Sequence, residues 1–251
     1  MIDLSNQHVF IAGGSRGIGA AAAKLLGSCG AAVSVNYLSN SAAAQETVDE
    51  ILAAGGRAAA FQGDVSEDGV AKRVVGEAVA KLGPLTGCVI SAGIFEGKAI
   101  DEMDLAFWDR TMRINVTGTF LTTQACAPHM RTSGGGSIVI YTSTAGQRGS
   151  DVFSAYATSK GAQILFMRSM ARELGKDKIR VNCVAPAWTE TDMAAASLDA
   201  LGREEVAKNF VLGRIGLPED VAGCTAFLLS ELACFVTGVT LTCDGGMDMR
   251  G

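Results

Sequence analysis

Short apolar runs alternate with longer stretches of helical periodicity along the whole chain, and this alternation restricts the fold more than any other feature. The runs Val9–Ala12, Ala32–Asn36, Ala58–Gln62, Cys88–Ser91, Ser137–Tyr141, Arg180–Val184 and Val239–Cys243 read as strands. Helical patterns occupy 17–29, 41–54, 67–82, 104–130, 155–174 and 218–230. Strands separated by helices are joined by right-handed crossovers and come out parallel, with helices on both faces. The expected fold is α/β, a doubly wound parallel sheet of about seven strands (a Rossmann fold). No Pro/Ser-rich linker or charge block divides the chain, so a single domain over 1–251 is expected. The stretch 187–215 breaks the rhythm as a long irregular insertion, the usual form of a lid. Trp188, Met193, Leu198, Leu201, Phe210 and Val211 would give it an apolar cover. In 155–174, the run Ile164-Leu165-Phe166-Met167 with Met170, Ala171 and Leu174 is apolar on more than one face. Such a helix is buried on two sides, beneath other elements or at a subunit interface.

Glycine makes up 31 of 251 residues, an excess that fits several tight strand–helix junctions. The net charge is −5 and the basic residues are scattered, which argues against a nucleic-acid partner. No apolar run approaches the ~18 residues needed to span a bilayer, and the first residues lack a signal pattern. No membrane association is expected, and the location is expected to be cytoplasmic. Seven cysteines without a Cys-x-x-Cys pair read as reduced, mostly buried thiols, with Cys183 and Cys243 packed inside strands. His8 and His129 are too few and too far apart for a metal site, so no metal is expected and both read as surface residues.

Directly after the first strand comes Gly13-Gly-Ser15-Arg16-Gly17-Ile18-Gly19, opening a helix of small residues. Glycines permit the tight turn, bring bare backbone N–H groups against phosphate oxygens and seat the helix closely on the sheet. The helix N-terminus favours a pyrophosphate. A dinucleotide is therefore the expected ligand. An acidic residue at the end of the second strand would hold the adenosine ribose hydroxyls. The chain has Asn36-Tyr37-Leu38-Ser39-Asn40 instead, which removes a carboxylate that would repel the 2′-phosphate of NADP. Arg16 could pair with that phosphate, helped by Asn36 and Ser39, so NADP(H) is preferred, with NAD(H) as the alternative.

Tyr156 and Lys160 lie four residues apart, on one face of a helix. A free phenol ionises near pH ~10, too high for proton exchange at neutrality. A nearby ammonium would favour the phenolate and lower that value, suiting Tyr156 to general acid–base catalysis.

These motifs, with Asp64-Val65, Ser91-Ala92-Gly93, Asn115, Ser143 and Pro186-Ala-Trp-Thr-Glu-Thr191 in order, resemble the short-chain dehydrogenase/reductase family. The similarity covers essentially the whole chain, nearest the ketoacyl-carrier-protein-reductase-like and sugar-dehydrogenase-like members. The resemblance implies that Tyr156 exchanges a proton with the substrate oxygen as hydride passes to or from the nicotinamide. It also implies that Lys160 holds the nicotinamide ribose and lowers the phenol pKa, that Ser143 bonds the substrate oxygen, and that Asn115 positions a relay water. By the same resemblance Asp64 and Val65 flank the adenine, and Pro186 and Thr191 fix the carboxamide end. The chain departs from the family's usual residues at Ala12, Ser91 and Ala187. For an acyl-carrier-protein substrate one expects a basic patch, but Arg131, Arg172, Lys176 and Lys178 are interleaved with Glu173 and Asp177.

Phe95, Gln147, Arg148, Phe153, Trp188 and Met193 are expected to shape the substrate pocket with Ser143. The leading expectation is an NADP(H)-dependent oxidoreductase interconverting a small carbonyl compound and a secondary alcohol. An NAD-dependent dehydrogenase of a sugar, polyol or hydroxy acid is the alternative, and a silent nucleotide-binding protein a remote one. The resemblance also implies a homotetramer.

Overall fold

The computed structural model describes residues 2–249. Seven parallel strands form one sheet in the order β3-β2-β1-β4-β5-β6-β7. They are β1 (His8–Ala12), β2 (Ala32–Tyr37), β3 (Arg57–Gln62), β4 (Gly87–Ile90), β5 (Gly136–Tyr141), β6 (Ile179–Pro186) and β7 (Thr240–Cys243). The central strands are buried on both faces, so consecutive side chains serve different cores. Phe10 and Ala12 of β1, with Ile138 and Ile140 of β5, enter one cluster, while Val9, Ile11, Val139 and Tyr141 enter the other. Helices α3 (Val70–Leu82), α5 (Gly118–Thr132) and α7 (Ser154–Leu174) cover the first cluster; α1 (Gly17–Ser28), α2 (Ser41–Ala53) and α10 (Pro218–Leu229) cover the second. The strand order reverses between β1 and β4, and such a switch point opens a crevice at the strands' carboxyl ends.

Four expectations about elements are corrected. The helix anticipated over 104–130 is two helices, α4 (Leu105–Met112) and α5, joined by a π-helical turn at Arg113–Thr117 that carries Asn115. The helix anticipated from 67 starts at Val70, after the left-handed Gly69 (φ 74°). The 187–215 stretch is not irregular: it folds as α8 (Asp192–Leu201) and α9 (Arg203–Ala207) around a small core of Ala194, Leu198, Val206, Phe210 and Ile215. Leu201 and Val211 do not join that core and are exposed. A short helix, α6 (Thr144–Arg148), follows β5 where none was anticipated.

His8 is buried, not on the surface, because both ring nitrogens find partners, the Gly83 carbonyl and the Ser34 hydroxyl, each at 2.8 Å. Nor are the cysteines mostly buried: Cys88, Cys126 and Cys183 are, Cys29, Cys224 and Cys243 are half-buried, and Cys234 is exposed. In α7, Met167 is buried while Leu165 points outward at 63% exposure, so the helix has a face that its own chain leaves open.

Candidate active site

A cleft of about 620 Å³ runs along the carboxyl ends of the strands, from Arg16 and Tyr37 at one end to Tyr156 and Trp188 at the other. The end at Arg16 rests on glycine. A Cβ at Gly13 would lie 2.8 Å from the Ala92 backbone, and one at Gly19 would lie 2.1 Å from the Gly13 carbonyl oxygen. Those clashes forbid a side chain at either position and explain the spacing of the loop. Gly17 takes a left-handed φ of 55°, and α1 starts there without a side-chain cap, leaving its first N–H groups unclaimed by a side chain. Bare donors at a helix N-terminus facing a long cleft fit the pyrophosphate of a dinucleotide.

Ser15, Arg16, Ile18, Tyr37, Ser39, Asp64, Val65, Ser91, Ala92, Gly93, Pro186 and Thr191 also line the cleft. Thr191 caps α8, and its methyl lies 3.4 Å from where a Gly17 Cβ would stand. Asn36 touches the cleft, but its amide donates to the carbonyls of Phe61 and Gly63, both at 3.1 Å. It ties β2 to the end of β3 and has no donor left for a phosphate, contrary to the expected assistance to Arg16.

At the other end Ser143 caps α6, its hydroxyl accepting from Ala145 N at 3.1 Å, and both Ser143 and Tyr156 line the cleft. Burial pushes the Tyr156 phenol up to about 12, with the neighbouring Ser143 hydroxyl acting in the opposite direction. Lys160 is buried too, and burial pushes its ammonium down to about 8. Its Nζ donates to the Tyr141 carbonyl at 2.8 Å and sits 5.7 Å from the Tyr156 ring centroid. The expected lowering of the phenol by the ammonium is therefore not observed: desolvation dominates both groups, and the ammonium is directed at the end of β5.

Asn115 is fully buried and makes no part of the cleft wall. Its Oδ1 accepts from Ile94 N at 2.8 Å, and its Nδ2 donates to Ile94 O and Ser159 Oγ. Its carbonyl accepts from Thr119 Oγ1 (2.7 Å) and Gln163 Nε2 (2.8 Å). Instead of presenting a group to a relay water, Asn115 is a strut that holds the chain after β4 against α7.

Phe95, Arg148, Trp188 and Met193, expected at the substrate, line the same cleft as Tyr156. Phe95 meets the Tyr156 ring edge-on at 4.9 Å and Trp188 edge-on at 5.6 Å. Phe153 lies outside the lining and stacks behind Phe95 at 4.5 Å. Gln147 is also outside, its amide donating to Thr242 of β7 at 3.2 Å. The first of these supports the pocket; the second does not take part in it. Ser159 and Gln163 were missed, although they share the helical face of Tyr156 and Lys160, and that periodicity was their available signal. Ile94 and the Tyr141 carbonyl act through backbone atoms and left no trace in residue identity.

A family model described as "Enoyl-(Acyl carrier protein) reductase" matches residues 12–248. The chain belongs to the short-chain dehydrogenase/reductase family. It is 36% identical over 250 residues to a 3-oxoacyl-[acyl-carrier-protein] reductase of Synechocystis, covering 99% of this chain and 100% of the relative. It is 38% identical over 246 residues to an L-rhamnose 1-dehydrogenase (NAD(P)(+)) of Sphingomonas, covering 97% of each. A short-chain type dehydrogenase/reductase from Mycobacterium ulcerans superposes with a TM-score of 0.93 at 33% identity, over 99% of this chain and 92% of that one. As a short-chain dehydrogenase/reductase the protein is an oxidoreductase of NAD(P)(H)-using type. Among the described residues no helix is long and apolar enough to cross a membrane, and no group of three or more potential ligands could hold a metal.

Proposed function

We propose that the protein is an NADP(H)-dependent oxidoreductase that interconverts a partly apolar ketone and its secondary alcohol. The observation that carries the reading is that Ser143 and Tyr156 line one glycine-floored cleft together, with Phe95 and Trp188 as its wall. The loop from Gly13 to Ile18 and the start of α1 would hold the pyrophosphate, and Asp64 and Val65 the adenine. Ser91, Ala92, Gly93 and Lys160 would hold the nicotinamide ribose, with Pro186 and Thr191 at the carboxamide. When bound, NADP(H) supplies or accepts the hydride.

The protein's own share is orientation and proton transfer. Ser143 donates to the substrate oxygen and fixes it beside the Tyr156 hydroxyl. Because burial holds the phenol protonated far above neutrality, Tyr156 is ready as an acid for carbonyl reduction. The Lys160 charge opposes the negative charge left on the phenol oxygen as the proton departs. The Asn115 strut keeps the Gly93 wall at its distance from α7: a Cβ on Gly93 would stand 3.0 Å from Asn115 Oδ1.

Preference for NADP(H) is supported by exposed Arg16 at the cleft and by Asn36-Tyr37-Leu38-Ser39 in place of a carboxylate. Similarity to the rhamnose dehydrogenase favours an NAD(P)-dependent sugar dehydrogenase as a second reading. The Phe95 and Trp188 rings beside Tyr156 favour the partly apolar substrate of the first reading. An acyl-carrier-protein substrate gains no support from Arg131, which is paired with Asp177 at 2.6 Å. The test is oxidation of NADPH and of NADH by the purified protein against keto esters, aryl ketones, aldoses and acyl thioesters. Turnover of ketones with NADPH is expected; turnover confined to sugars with NAD⁺ would overturn the reading.

A further inference from the structure

Three arginines line the cleft, Arg16, Arg110 and Arg148. Arg110 is committed to Glu96, to which it donates at 2.5 Å. Arg16 belongs to the glycine loop, at the end suited to the phosphates of a dinucleotide. Arg148 has neither role. It is the last residue of α6, the helix that Ser143 caps, so one short element carries both side chains into the cleft wall. At about 1.5 Å of rise per residue, Arg148 leaves that helix about 7.5 Å along from Ser143.

The helix holds that spacing firmly. A Cβ at Gly146 would lie 2.6 Å from the Lys160 backbone, so α6 rests directly on α7. Gln147 donates to Thr242 of β7 at 3.2 Å and fixes the other side. Among the described residues the Arg148 guanidinium donates no hydrogen bond, and its one ion pair is with Asp248 at 3.9 Å, beyond hydrogen-bonding reach. The tail that carries Asp248 has its own anchors. Asp248 N donates to Asp244 Oδ2 at 2.7 Å, and Met247 packs against the core of α8 and α9. The other carboxylates of the cleft wall are Asp64, which accepts from Ser66 Oγ at 2.6 Å, and Asp192, next in the chain to Thr191 at the glycine loop. A guanidinium offers five donors in a planar fork that fits a carboxylate through two parallel bonds. Arg148 brings such a fork to the cleft with none of its donors engaged by the protein.

We propose that Arg148 selects a ketone that carries a carboxylate several bonds away from its carbonyl. The inference rests on the ketone reduction proposed above and narrows its substrate class. Ser143 and Tyr156 would take the carbonyl oxygen, Phe95 and Trp188 would cover the apolar middle, and Arg148 would bind the carboxylate through charge-assisted bonds. The spacing along α6 disfavours α-keto acids, in which the carboxylate is bonded directly to the carbonyl carbon. The carboxylate itself is unaltered; only the carbonyl is reduced.

The test compares para-acetylbenzoate with its methyl ester, which share one aryl ketone and differ in charge. With NADPH, the wild type should show a kcat/KM for the acid about tenfold above that for the ester, the effect of one charge-assisted contact. Arg148→Gln should lower that ratio about tenfold, and Arg148→Lys should lower it less, since lysine keeps the charge and loses the fork. Arg131→Gln, on α5 and paired with Asp177, should leave the ratio unchanged. Calorimetric titration of the NADP⁺-loaded protein reads the same contact without turnover. The acid should bind about tenfold tighter than the ester, with the gap narrowed by about 0.5 M NaCl. A wild type that prefers the ester, or a ratio that Arg148→Gln leaves unchanged, would overturn the proposal. Binding of the acid through Arg148 without reduction of either compound would uphold the anion site and refute ketone reduction. Equal reduction of both compounds, indifferent to Arg148→Gln, would do the reverse.

Discussion

Tyr156 and Lys160 are displaced by burial in opposite directions, and their pH behaviour follows from that. Lys160 falls to about 8 from its ordinary 10.5, so between those values the unfolded chain binds more protons than the folded one. Stability attributable to this residue should therefore rise as pH goes from about 8 to about 10. Above pH ~10 the raised phenol of Tyr156 acts the other way, since only the unfolded tyrosine ionises there. Thermal melts of wild type and Lys160→Met across pH 7–10 check the sign: the wild type should gain relative to the variant. A relative loss would mean that Lys160 is not desolvated. In catalysis the same values predict that carbonyl reduction weakens as pH rises through about 8, where the ammonium is lost, while alcohol oxidation gains with pH. Arg16 is the other decisive residue. Arg16→Ala should raise the Kd for NADPH about tenfold or more, the cost of one charge-assisted bond, while changing NADH less than about twofold. Equal losses in calorimetric titrations would refute a phosphate contact.

At the scale of elements, the π turn at Arg113–Thr117 sets the position of the strut at Asn115. Asn115→Leu would leave the Ile94 N–H and carbonyl without their side-chain partners, and should cost about 2–4 kcal/mol in urea unfolding. A loss below about 0.5 kcal/mol would remove Asn115 from this role. The glycine loop is equally exacting: Gly19→Val should abolish NADPH binding, because the Gly13 carbonyl occupies the side-chain space. The strands, the loop and the tyrosine–lysine face were legible in the sequence because each is fixed by local chemistry: period, glycine and i,i+4 spacing. The roles of Asn36, Asn115 and Gln147 were not. An amide can bond to backbone, ligand or neighbour, and only the fold determines that Asn36 meets Phe61 and Gln147 meets Thr242. The Lys160 interaction was misread for a related reason. Spacing placed it beside Tyr156, whereas the carbonyl it chooses belongs to β5.

For the whole molecule, the doubly wound order was implied by alternation of strands and helices, and the cleft lies where the order reverses. Phe120 on α5 and Leu165 on α7 expose apolar surface, and we carry the homotetramer forward as a proposal resting on that surface. Light scattering should give the mass of four chains, and Leu165→Glu should lower it; a wild-type monomer would contradict the proposal. The central claim is that Tyr156 gives the proton in an NADPH-linked carbonyl reduction. It is tested most directly by comparing wild type and Tyr156→Phe for NADPH oxidation with the best ketone substrate, alongside NADPH titration of both proteins. The account predicts that turnover falls by about 10²–10⁴-fold while the Kd for NADPH changes less than about threefold. Retained turnover in Tyr156→Phe would contradict it.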